Sequence, residues 1–202
     1  MPSSYTPLGV ELMVTGEQAG LWGDKTNTNL QIVSQISGGF TTQAVSGTGN
    51  TNITVNDGST GSALATRVIE LTGTITGAIT VSIPLDVENF YIIKNSTSGA
   101  FSVEFQYVSG SGTSVTWSST DKGTKILYAK ADDGTNPNIV DVFSQFSQIN
   151  LVNRNEVRFE DATGGQYVGL RAAATVGSSF TLNLPTADAA SSGQALVSDS
   201  SG

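Results

Sequence analysis

The chain has 202 residues, of which 13% are charged, and it contains neither cysteine nor histidine; disulfides, thiolate metal sites and histidine-based catalysis are excluded. Its net charge of −8 gains nothing from counterion release, and no apolar run is long enough to cross a bilayer, so neither nucleic acid nor membrane insertion is expected. Abundant Ser, Thr and Gly among β-branched residues predict a mainly β protein with a hydroxyl-rich surface; no P-loop or Rossmann motif is present, and no cofactor is expected.

Residues 1–20 read as an extended arm, with a turn over Tyr5-Thr6-Pro7-Leu8-Gly9 and a short strand within Val10-Glu11-Leu12-Met13-Val14. Asp24 is a good N-cap for a short helix over 25–37. Leu30, Val33 and Ile36 form one apolar stripe with Ile32 alongside, and Gly38-Gly39 stops the helix. Trp22 is expected to pack beneath the first turn as a staple. Asn27 and Asn29 are expected to bond the free amides at the helix start.

The run Gly20-Leu21-Trp22-Gly23-Asp24-Lys25-Thr26-Asn27-Thr28-Asn29-Leu30 resembles the opening of tail-fibre-type structural proteins of tailed phages, many of them marine. Those proteins carry G-x-W-G-x-x-T-N-x-N-(L/F) here. The resemblance implies a virion protein attached through residues 1–40 to a tail tube, adaptor or baseplate protein. Its implied docking or oligomer interface is Trp22, Asn27, Asn29, Leu30, Val33 and Ile36.

Residues 41–61 read as a polar linker around a small strand at Ile53 and Val55. From 62 to 147 the pattern predicts a small antiparallel β-sandwich or barrel. Ile79, Val81 and Ile83 alternate with polar residues. Phe90 to Lys94 is nearly continuous and apolar, as for a strand buried on both faces. Phe101, Val103, Phe105 and Tyr107 predict a half-buried strand with an aromatic face, and Val115 with Trp117, Ile126 with Tyr128, and 139–143 supply three more. Asp132-Asp133-Gly134-Thr135-Asn136 lacks the alternating spacing and closing Glu of a calcium loop. It reads as a hairpin turn, and no metal site is expected.

Residues 148–202 change texture, with very short strands at Val157 and Phe159, at 167–171, and at Phe180, Leu182 and Leu184. Such strands bury too little surface alone, so association of several chains is expected. This segment also resembles a phage-fibre module, through Val157-Arg158-Phe159-Glu160, Tyr167-Val168-Gly169-Leu170-Arg171-Ala172, Phe180-Thr181-Leu182-Asn183-Leu184-Pro185 and Gly193-Gln194-Ala195-Leu196. Asn183 departs from the module's pattern. The resemblance implies the start of a trimeric fibre shaft, with Val157, Phe159, Val168, Leu170, Phe180, Leu182 and Leu184 at the interface between chains.

The expected function is therefore that of the virion-proximal part of a phage tail fibre: a homotrimer in the tail, without enzymatic activity. A host-surface receptor would be met by a distal part beyond residue 202. The alternative is a short tail adaptor or capsid decoration protein; a bacterial adhesin is disfavoured because residues 1–5 show no secretory-signal pattern. A polysaccharide-degrading tailspike is disfavoured, because adjacent Glu160 and Asp161 point to opposite faces of a strand and cannot pair across a sugar.

Overall fold

The computed structural model describes residues 3–144, 148–161, 164–179 and 181. Two compact units divide the chain, Met1–Phe146 and Ser147–Gly202. The first contains strands β1 (Ser4–Tyr5) and β2 (Glu11–Leu12), helix α1 (Trp22–Gly38), and strands β3 (Phe40–Ala44) and β4 (Gly47–Asn52). A 3₁₀ turn, Ala63–Ala65, precedes β5 (Val68–Ile83), β6 (Asn89–Ser98), β7 (Val103–Tyr107), β8 (Val115–Trp117), β9 (Thr124–Ala129) and β10 (Ile139–Asp141). The second unit holds β11 (Val157–Glu160) and β12 (Tyr167–Leu170). The protein is mainly β, as its composition predicts.

The main sheet is nearly closed and barrel-like, but it is not the antiparallel arrangement expected from sequence. The chain makes three consecutive passes that lie parallel. β3 and β4 run along one side of β5, and β6 and β7 run along the other. Only the later pairs β6–β9, β9–β10 and β7–β8 are antiparallel. Residues 41–61, expected as a linker, therefore supply most of β3 and all of β4. Their backbone groups are satisfied by β5, a pairing that local periodicity cannot reveal.

The 16 residues of β5 would extend about 50 Å if straight. Residues 84–88 can span no more than about 18 Å, yet they bring β6 back beside the start of β5, with Ile92 opposite Val68. β5 must therefore bend. Gly73 lies near its middle with φ of 116°, where an added Cβ would meet the Val45 carbonyl oxygen at 2.2 Å. The backbones approach at this corner because glycine leaves room.

Odd-numbered residues of the sheet point inward. Ile69, Leu71, Ile79, Val81, Tyr91, Ile93, Phe105, Trp117 and Leu127 are all buried. Tyr91 meets Phe105 edge-on, with ring centroids 6.2 Å apart. The Tyr91 hydroxyl donates to the Leu64 carbonyl at 2.8 Å. Phe101 stays outside, at 40% exposure. Asn136 and Asn138 help to close the gap between β10 and the loop before β8. Their side-chain oxygens accept the Ser111 and Thr113 amides at 2.8 and 3.0 Å. The strand at Phe90 to Lys94 is buried on one face only: Tyr91 and Ile93 are enclosed, whereas Phe90 is 39% exposed. Its outer face has no covering layer within the described first unit.

The Tyr107 hydroxyl donates to the Val87 carbonyl and accepts the Ala131 amide, each at 2.8 Å. Burial pushes this phenol up to about 12, against about 10 in an unfolded chain. Its contribution to stability is complete below pH 10 and is lost as pH rises through about 10 to 12. Denaturant unfolding should therefore show stability falling across that window, less steeply for Tyr107→Phe. Equal slopes for the two proteins would contradict this assignment.

Candidate functional site

The arm and helix form one locked element. Gly9 N–H bonds the Thr6 carbonyl at 2.8 Å, which turns the arm back so that β1 pairs antiparallel with β2. Glu11 sits at the centre with 4% of its surface exposed. Its carboxylate accepts the Ser3 hydroxyl at 2.6 Å and the Gln18 amide at 3.1 Å, and it pairs with Lys25 at 3.1 Å. The Ser3 hydroxyl, then the Lys25 ammonium, hold the Glu11 carboxyl below its ordinary pKa. The same Glu11 contact raises that of Lys25. Asn29 grips the Glu11 backbone from the helix: its Oδ1 accepts the amide and its Nδ2 donates to the carbonyl, both at 2.9 Å. One side chain thus mimics a strand neighbour for β2.

These contacts correct the expected role of the asparagines. The helix begins at Trp22, with Leu21 at the N-cap and no side-chain cap. Asp24 lies within the first turn, where its charge favours the helix N-terminus. Asn29 therefore lies too far along to serve the free amides, and it fastens the arm instead. Asn27 is exposed.

Trp22 is also not a staple. It occupies the first helical position and is 62% exposed. Leu30 and Val33 are 62% and 50% exposed on the same side, and Ile36 is half-buried. The fully buried helical residue is Ile32. Gln35 Oε1 accepts the Gly61 amide at 3.2 Å, which ties the helix to the segment leading into the barrel. Leu8 of the arm packs against the core. The helix is thus held by its Ile32 and Asn29 sides, while Trp22, Leu30 and Val33 remain uncovered. The hub residue Glu11 was missed from sequence. Its signal was a lone carboxylate inside the apolar run Val10 to Val14, with a lysine downstream.

In the second unit β11 and β12 form an antiparallel hairpin. Its register places Val157 opposite Leu170 and Phe159 opposite Val168, so these four side chains share one face. They are between 43% and 67% exposed. The opposite face carries Arg158, whose guanidinium lies 4.2 Å from the Tyr167 ring centroid. An isolated two-stranded hairpin is marginal in water, and this one leaves its apolar face open. Phe180, Leu182 and Leu184 lie outside the described residues.

Carboxylates elsewhere serve local structure. Asp132 accepts the Asn138 amide at 2.9 Å and pairs with Lys130 at 2.8 Å. Asp133 accepts the Thr135 amide at 2.8 Å. These bonds shape the turn between β9 and β10, as expected of a hairpin. Glu70 pairs with Lys94 at 2.9 Å, and Glu104 accepts the Ser114 hydroxyl at 2.6 Å.

No protein-family model, curated protein or solved structure matches the chain.

Proposed function

We propose that the chain is the virion-proximal part of a phage tail fibre, attached to the tail through its arm and helix and associating in threes through the segment after 148. The observation that carries this reading is the exposed Trp22, Leu30 and Val33 face on a helix fixed by Asn29 and Lys25. A helix held on one side and bare on the other is suited to receive a partner. The same run of residues carries the resemblance to fibre openings. The open Val157–Leu170 and Phe159–Val168 face supports association of copies in the second unit. The role is mechanical and adhesive, not catalytic. Linked copies raise effective concentration at a host surface without new contacts.

The partner at the helix is a tail tube, adaptor or baseplate protein. A tagged chain located on purified particles by gold labelling tests this reading. Label confined to the tail, with the chain present in multiples of three, is the expected result. Label on the head would favour a capsid decoration protein, and its absence from particles would remove the virion assignment.

A further inference from the structure

We infer that the outer face of the first unit's sheet is a second surface for self-association, whose occupant is another copy of this chain. The register sets Phe40 beside Val68, Val68 beside Ile92, and Ile92 beside Ile126. One apolar row thus crosses four strands. An adjacent row places Phe90 beside Tyr128 and Tyr128 beside Val140. All seven residues are even-numbered and face away from the core. Phe40 is 61% exposed, Phe90 39% and Val140 40%, with the others partly exposed.

The apolar character stops abruptly. The next row is Thr42, Glu70, Lys94 and Thr124, followed by Ala44, Thr72 and Ser96. An ordinary solvated face would be polar throughout. Phe40 and Phe90 together expose the surface of one phenylalanine, roughly 200 Å². With the remaining five residues the patch reaches roughly 400 Å², the size of the largest apolar patch on a typical monomer, which is often functional. It is about half of what each partner contributes to a stable interface. Such a face is weak alone, but it acts strongly between copies already tethered.

Charge selects the occupant. The chain carries −8 overall, so most of its surfaces repel a second copy. The border of this patch does not. Glu70 pairs with Lys94 at 2.9 Å, Glu88 accepts the Tyr128 hydroxyl at 2.6 Å, and Arg67 lies over the Phe90 ring at 5.9 Å. Lys130, beside Tyr128 on the same face, is likewise matched by Asp132 at 2.8 Å, so the border charges balance and an identical face meets no net repulsion. This surface is independent of the hairpin face in the second unit.

The test is sedimentation equilibrium of the full chain across a dilution series, comparing wild type with Ile92→Lys/Ile126→Lys. Phe40→Ser serves as a second variant should the first lose its native circular dichroism. The apparent dissociation constant should rise at least about tenfold. An unchanged constant overturns the inference. So does a wild-type chain that is monomeric throughout, which would assign the face to a different protein. Phe159→Asp, run in parallel, reports on the hairpin alone. If it dissociates the chain while the sheet variants do not, this inference fails and the trimeric reading stands. The opposite outcome leaves this inference and removes the hairpin.

Discussion

Trp117→Ala should destabilise the first unit by about 3–5 kcal/mol, a large part of the roughly 5–15 kcal/mol that holds a domain folded. Trp117 is fully buried. Its indole N–H donates to the Gly123 carbonyl at 3.0 Å, and Lys125 lies 5.8 Å from its ring centroid. The Gly123 carbonyl also accepts the Asn95 amide at 3.2 Å, so the substitution does not orphan it. The cost arises from the cavity and the lost contacts. The site collapses poorly because three strands that would have to move are tied elsewhere: β8 to β7, β7 to β5, and β6 to β9. Denaturant unfolding followed by far-ultraviolet circular dichroism measures the change. A loss below about 1 kcal/mol would mean that Trp117 is not central to this core.

Local signals in the chain located its elements better than its architecture. Alternation at Ile79, Val81 and Ile83, and at Val103, Phe105 and Tyr107, foretold the inward faces correctly. The hairpin at Asp132 to Asn136 was legible from turn chemistry, and the helix from its apolar spacing and the Gly38-Gly39 stop, although its N-cap is Leu21 and not Asp24. The parallel stacking was not, because pairing Phe40 with Val68 and Val68 with Ile92 joins residues far apart in sequence. Residues 41–61 looked like a linker because β4, Gly47–Asn52, is built wholly of Gly, Thr and Asn. It is a strand only because β5 provides its partners.

Most of the candidate surface was legible, although its internal fastening was not. Leu30 and Val33 were singled out by helical spacing and stand exposed. The spacing could not show that Ile32, rather than their stripe, anchors the helix inward. Nor could it show that Asn29 reaches back to Glu11, a contact made by folding the arm. Phe90 to Lys94 illustrates the limit of composition. A continuous apolar run is the same whether the second face is covered by a layer of the chain or left for another molecule.

In the proposed function the Trp22–Leu30–Val33 face attaches the chain to a tail. Fully burying a valine is worth about 1.5–3 kcal/mol, and an aspartate in its place would add an uncompensated charge to a closed interface. Val33 is half-exposed in the chain alone, so Val33→Asp should leave the fold intact. The decisive measurement is the amount of the chain in purified particles assembled with Val33→Asp, beside circular dichroism of the isolated variant. Particles should lack the chain while the isolated variant melts like the wild type. Particles carrying the variant at the wild-type level would contradict it.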